Sequence, residues 1–217
     1  MVMSTLPILP LQQPSILLPA SKITVTVKRE LGQQLISLIQ DSESQPVVVA
    51  VPVITAESKE EKDAVVANEW GTVARIARLV RPSALNPNDT YLVTLHGLSR
   101  VRLGRPLNPS SESPEYLHYH PVEYPPSEQA PSKEAVEKFK KAALQMLGRL
   151  GQDASKASRR DAWVRFANMV EDITDRRVGW LSDLMVGSII TDYDDRLGEY
   201  CPTHTCSAMS FVFGMYK

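Results

Sequence analysis

The chain has 217 residues, of which 43% are hydrophobic and 23% charged, the balance of a globular protein with one or two domains. Its formal net charge of −1 advertises no general electrostatic partner, neither nucleic acid nor an anionic membrane. Both cysteines, Cys201 and Cys206, fall in the last 17 residues, which excludes a disulfide scaffold for the rest and fits a reducing, intracellular compartment.

The N-terminal stretch MVMSTLPILPLQQPSILLP lacks the basic start of a signal peptide and the arginine-rich pattern of a mitochondrial transit peptide. No apolar run reaches the ~20 residues that span a bilayer. LPILPL (6–11) is the first apolar run. Pro7 and Pro10 cannot donate ladder hydrogen bonds, so an edge strand, or one paired on a single side, is expected. KITVTV (22–27) alternates strictly, with Ile23, Val25 and Val27 on one face, and reads as a half-buried strand. Leu31, Leu35, Leu38 and Ile39 then recur at helical spacing and predict an amphipathic helix over 29–40.

PVVVAVPVI (46–54) is continuous and β-branched, the pattern of a strand buried on both faces. Residues 55–68 are charged and aperiodic and read as an exposed loop. EWGTVARIARLVRP (69–82) is a strand entered through Trp70 and Gly71 and stopped by Pro82. Gly71 suits a bend or a close backbone approach. Its plain alternation puts Val73 and Leu79 on one face and Ile76 and Val80 on the other. After the turn residues 82–90, YLVTLHGLSRVRL (91–103) returns as the second arm of a long hairpin. Gly97 marks a bulge or bend in it. A Pro/Ser-rich loop (105–115) leads to a last strand over 116–124.

The period then becomes helical. Ser132 is a predicted N-cap for a helix carrying Val136, Phe139, Ala143, Met146, Leu147 and Leu150, ended by Gly151. Ser158 is a predicted cap for Trp163, Phe166, Ala167, Val170 and Ile173. Val178, Leu181, Met185 and Ile189 form a third stripe. Strands first and helices after argue an α+β fold. The expectation is a closed or half-closed barrel of about six strands with one inserted helix, followed by a small helical bundle. The expected divisions are 1–124 for the β part, 125–131 for a linker, 132–197 for the bundle and 198–217 for an atypical tail.

No phosphate loop, dinucleotide fingerprint, nucleophile elbow or H-E-x-x-H pair occurs, so no catalytic or cofactor-binding residue is assigned. Three constellations hold side chains of a type that can carry chemistry. Tyr116, His118 and His120 share a strand face, and two histidines at i, i+2 can ligate a metal. No thiol or carboxylate completes the sphere, so an ordinary edge strand is expected. Cys201, His204 and Cys206 offer three ligands at a C-x2-H-x-C spacing that matches no common zinc pattern. Asp194 and Asp195 point about 100° apart on a helix, as a solvated helix start would. The hairpin also carries Arg75, Arg78, Arg81, Arg100, Arg102 and Arg105 against Glu69 and Asp89. Plain alternation puts Arg100 and Arg102 on one face and separates Arg75 from Arg78. Trp70 and Tyr91 are the only rings nearby, too few for a stacking nucleic-acid surface.

Taken together, the first strand and its Pro19 turn, Leu31–Ile39, Val47–Ile54, the G-T-x-A-x-I run Gly71–Ile76 and the V-x-x-x-G-L-x-R run Val93–Arg100 resemble the N-terminal domain of Lon proteases. The likeness covers residues 5–124, and LSDLMVGSI (181–189) resembles part of the helical bundle that follows. It implies a PUA-like β pseudobarrel followed by helices. It also implies a non-catalytic module that holds unfolded or damaged proteins and helps organise a hexamer, with the ATPase and the Ser-Lys peptidase elsewhere in a longer chain. The fungal peroxisomal type is the more similar, which implies the peroxisomal matrix; otherwise the cytoplasm is expected. After residue 198 the chain departs from the family pattern, and an altered gene-model end or a truncation is expected, against a lineage-specific terminus. Two other readings stay open: a stand-alone adaptor similar to the Lon-type domain in cereblon, and an RNA-binding PUA-like module.

Overall fold

A computed structural model describes residues 3–43, 45–55, 65–82, 90–104, 116–125, 131–153, 157–174 and 177–188. In chain order its elements are β1 (Met3–Gln12), β2 (Lys22–Val27), α1 (Arg29–Asp41), β3 (Val47–Thr55), β4 (Val65–Ala67), β5 (Trp70–Val80), β6 (Tyr91–Leu103), β7 (His118–Glu123), α2 (Lys133–Asp153), α3 (Ala157–Glu171) and α4 (Val178–Ser188). Among the described residues, those up to 125 together with Gly187 and Ser188 form one compact unit, and those from 131 to Val186 form the other.

In the first unit the ladder path runs β1-β7-β6-β5-β3-β4, and β1 also pairs with β3. Five strands therefore close a cycle, β1-β7-β6-β5-β3 and back to β1. β2 hangs from β6 and β4 from β3. The short β4 lies in the stretch read as a loop, where three residues carry too little pattern to announce a strand. It pairs with Val53–Thr55.

β1 corrects the expectation of a one-sided strand. Met3 to Ile8 pair antiparallel with β7, and Ile8 to Gln12 pair parallel with β3. The two ladders are used in succession, so only Ile8 is engaged on both sides. Pro7 and Pro10 each face a single ladder, so neither has to supply donors to two neighbours.

Two apolar clusters occupy opposite faces of these strands. One gathers Leu9, Leu11, Val48, Ala50, Ala74, Val93 and Leu95 under Leu31 and Leu35 of α1. The other gathers Ile8, Val49, Val51, Val73, Val101, Leu103 and Val122, drawn from all five strands of the cycle. Adjacent residues of β1, β3 and β5 go to different clusters, which is why Val47 to Val53 reads as one unbroken apolar run. Tyr91, Val93 and Leu95 serve the first cluster, while Val101 and Leu103 serve the second, although all five have the same parity. A bulge explains this. Ser99 pairs with Val73 and Gly97 with Ala74, leaving Leu98 as an additional residue. A second bulge, at Ala77, puts Leu79 beside Ile76 on the first cluster, not beside Val73 as plain alternation predicts.

The hairpin is pinned to a turn at Leu18–Ser21. Ser21 N–H donates to the Leu18 carbonyl at 3.2 Å, with Pro19 and Ala20 between them and Ala20 at φ 61°. Proline second and a left-handed residue third are the marks of a type II turn. Ala20 N–H donates to the Gly97 carbonyl and Gly97 N–H to the Ser21 carbonyl, both at 3.0 Å. A Cβ on Gly97 would run into the Leu18 carbonyl, so the residue at this bulge must be glycine. The Gln34 amide oxygen accepts from Leu117 N–H at 2.9 Å, tying α1 to the chain entering β7.

In the second unit Ser132 caps α2 as predicted: its Oγ accepts from Ala135 N–H at 3.2 Å. Val136, Phe139, Ala143, Met146 and Leu147 are buried, and α2 packs on α3. Lys140 reaches the Glu171 carbonyl at 3.4 Å, placing a cation at the C-terminal end of α3. Gly151 does not end α2, which runs to Asp153; no described glycine has the positive φ that a C-terminal glycine cap requires. Ser158 lies inside α3, which starts at Ala157.

Candidate functional site

Two surfaces, one on each unit, are candidates for binding. The first is the solvent-facing side of β2, β6 and β5. The ladders align Lys22–His96–Arg75, then Thr24–Thr94–Arg78, then Thr26–Leu92–Val80 in three cross-strand rows. Arg75 donates to Gln45 Oε1 at 2.8 Å and its other terminal nitrogen lies 3.2 Å from His96 Nδ1. Thr24 and Thr94 share a hydroxyl hydrogen bond at 3.0 Å. The rows contain three permanent cations and no carboxylate. Partial burial, then Arg75, then Lys22 hold the His96 imidazole below its ordinary pKa. Leu92 and Val80 are exposed beside the cations.

The Ala77 bulge is what assembles this face. It brings Arg75 and Arg78 to the same side, where plain alternation would have separated them. The other arginines do not join. Arg102 bonds Glu69 at 3.2 Å, an exposed pair of little energetic weight. Arg100 is half-buried on the far half of β6, opposite Thr72. Arg81 is exposed past the strand end, and Arg105 and Asp89 lie outside the described residues.

The second surface is a cleft between the C-terminal half of α2 and the middle of α3. It encloses about 320 Å³ and is lined by Leu144, Leu147, Gly148, Gly151, Trp163, Val164 and Ala167, with Gln152 as its polar rim. A Cβ at Gly148 or Gly151 would meet nothing within 4 Å, so these two positions form the open floor. Val164 is 54% exposed at its edge. The Trp163 and Phe166 rings lie 6.0 Å apart and tilted. Residues 144, 147, 148 and 151 follow helical spacing. A stripe of two leucines and two glycines beside the core stripe was the signal available in the sequence.

The histidine strand is structural. β7 is no edge, since it pairs with both β1 and β6. His120 is fully buried opposite Leu6, His118 is half-buried opposite Ile8, and Tyr116 is exposed outside the strand. Among the described residues no three of His, Cys, Asp and Glu converge on a possible metal position. Cys201, His204, Cys206, Asp194 and Asp195 lie outside the described residues. No described helix is long and apolar enough to cross a membrane.

Comparison with known proteins adds an independent line. The family model of the ATP-dependent protease La (LON) substrate-binding domain matches residues 5–198. Among similar solved structures is the N-terminal domain of the Mycobacterium avium complex Lon protease. It matches with a TM-score of 0.62 at 20% identity over 96% of each chain, a likeness that establishes the fold. Another is a Lon N-terminal domain protein from Xanthomonas campestris, at a TM-score of 0.43 and 15% identity over 86% of this chain and 99% of that one. No curated protein sequence matches the chain significantly.

Proposed function

The chain belongs to the family of Lon substrate-binding domains, and from that premise we propose that it is the non-catalytic client-holding module of an ATP-dependent Lon-type protease. Its clients are unfolded or damaged proteins, its setting is protein quality control, and its closed cycle of strands is a PUA-like pseudobarrel. The ATPase and the Ser-Lys peptidase reside elsewhere in a longer chain, and neighbouring copies meet in a hexamer. The placing of both cysteines after residue 200 supports a reducing compartment, the peroxisomal matrix or the cytoplasm.

The observation that carries the reading is the α2–α3 cleft. It is apolar, open, floored by glycine and large enough for one or two side chains of a client. A folded protein keeps such side chains inside; an unfolded one presents them.

The test is binding of the purified chain to a fluorescently labelled, permanently unfolded protein, followed by anisotropy. Val164→Asp puts a charge at the mouth of the cleft without touching a buried position. Losing one valine contact of about 1.5 kcal/mol weakens binding roughly tenfold. Unchanged affinity in Val164→Asp, with the wild-type circular dichroism spectrum retained, overturns the assignment of the cleft. Hydrolysis of ATP or of peptide by the purified chain overturns the non-catalytic reading.

A further inference from the structure

The first unit offers something the cleft does not: an unfinished sheet edge beside a one-signed face. β2 has a single ladder partner among the described residues, β6. Its other edge carries backbone donors and acceptors that a further strand could take up. On its outer side stand Lys22, Thr24 and Thr26, all exposed; on its inner side Ile23 and Val25 are only half-buried, although both pack against the α1 cluster. Each row of the sheet therefore stops one strand short of being covered. The inner rows are apolar, Ile23–Leu95–Ile76 and Val25–Val93–Leu79. The outer rows begin with the Lys22–His96–Arg75 line and are followed by Arg78, with no carboxylate among them.

We infer that β2 accepts an extended client segment by strand addition, and that the segment it selects alternates apolar and acidic residues. This rests on the client-holding reading and names the class of segment one surface would take. The geometry fixes the pattern. An added strand lies about 4.8 Å from β2 and its side chains alternate between faces. Apolar residues beside Ile23 and Val25 complete the burial that the edge leaves half done. Residues on the other face stand beside Lys22, where carboxylates are favoured and cations disfavoured, while Arg75 and Arg78, three strand spacings or about 14 Å away on β5, add a field of the same sign from a distance. Six residues of β2 set the length of the match, about 20 Å of extended chain. Lys22 has a second effect: a cation on an edge discourages neutral strands and copies of β2 itself from pairing there. A single-stranded nucleic acid is the less suitable anion, since the three outer rows contain no ring wider than the half-buried imidazole of His96.

The experiment uses the whole chain and a labelled eight-residue peptide alternating Val and Glu. Its controls are a peptide of the same composition with four Val followed by four Glu, and two alternating peptides N-methylated either on every Val or on every Glu. Successive residues of a strand point their N–H groups to opposite edges, so only one of the two methylated peptides can still pair with β2. The alternating peptide is expected to bind at least tenfold tighter than the block peptide, and one methylated peptide to lose binding while the other keeps it. Lys22→Glu with Arg78→Glu, both exposed positions, is expected to weaken the alternating peptide at least tenfold with an unchanged circular dichroism spectrum. Equal affinity for the alternating and block peptides overturns the inference. So do equal affinities for the two methylated peptides, an unaltered affinity in the double variant, or tighter, Lys22- and Arg78-dependent binding of a single-stranded RNA. Should these arms fail while unfolded protein still binds through Val164, strand addition alone falls. Should the Val164→Asp arm fail while the peptides behave as expected, only the cleft falls.

Discussion

Shortening a central strand by one residue ordinarily turns half its side chains to the wrong face. β6 is built so that one such deletion should be absorbed. Leu98 is the additional residue between the pairs Gly97–Ala74 and Ser99–Val73. With Leu98 deleted, Gly97 still faces the turn at Leu18, Ser99 follows it in plain alternation, and Val101 and Leu103 stay on the cluster of the cycle. What is lost is about half the burial of one leucine, since Leu98 is 47% exposed, so a cost of about 1 kcal/mol is expected. Deleting Thr94 instead is the contrasting case. To keep both ends of β6 in register, Leu98 must take the place of Gly97 against the Leu18 carbonyl. His96 must enter the α1 cluster, and Leu95, now fully buried, must leave it. The lost leucine burial, together with an imidazole buried without a designed partner, amounts to about 4 kcal/mol or more. Urea melts followed by circular dichroism separate the two: the Leu98 deletion melts close to wild type, and the Thr94 deletion is largely unfolded in buffer. Equal destabilisation by the two deletions refutes the bulge as the device that lets one strand serve two cores.

Gly97→Ala is expected to cost about 1–3 kcal/mol, because the new methyl meets backbone atoms of Leu18 that cannot rotate away; thermal melts measure it. Phe139 is fully buried in α2, and Phe139→Ala is expected to cost about 3–5 kcal/mol, read as an earlier urea transition. For His96 the folded pKa is depressed, so the unfolded chain binds its proton first as pH falls. Its contribution to stability is complete well above 6.5 and is lost as pH falls through 6.5 toward the lower folded value. Lys22→Gln removes one of the opposing charges, and its expected effect is a higher His96 pKa in an NMR titration.

Local periodicity carried the sequence reading where burial is itself periodic. β2 alternates because its inner face alone meets the α1 cluster. Leu31 and Leu35 recur at helical spacing because one side of α1 lies on the same cluster. The sequence lost its grip wherever a feature is defined by a partner strand. Nothing within EWGTVARIARLV says that Ala77 is unpaired, because that is a fact about its register with β6. The same bulge decides that Arg75 and Arg78 share a face, so the basic surface could not be read from β5 alone. β1 misled for a related reason: prolines forbid two ladders at one residue, not two ladders taken in turn. Gly151 looked like a helix end because glycine is both a cap and an empty place. Only the backbone angle distinguishes the two, and here the angle is ordinary and the place is empty.

Both candidate surfaces are small, and this bears on how the module would work. A cleft of about 320 Å³ takes one or two apolar side chains, and each contributes about 1.5–3 kcal/mol before the cost of ordering a flexible client is subtracted. The remainder is at best the roughly −4 kcal/mol of millimolar binding, too weak to retain a client on one copy. On the proposed reading, weakness is an asset, because the module must let its client move on, provided that several copies act on the same client. Linked sites raise the effective concentration of a second contact to about the millimolar range, comparable with such a dissociation constant, so each added copy contributes without any single one becoming a trap. A long unfolded chain can visit several copies and a folded protein cannot. On this argument, discrimination arises from the number of contacts a client can make at once, and a deep, tight pocket on any one copy would work against it.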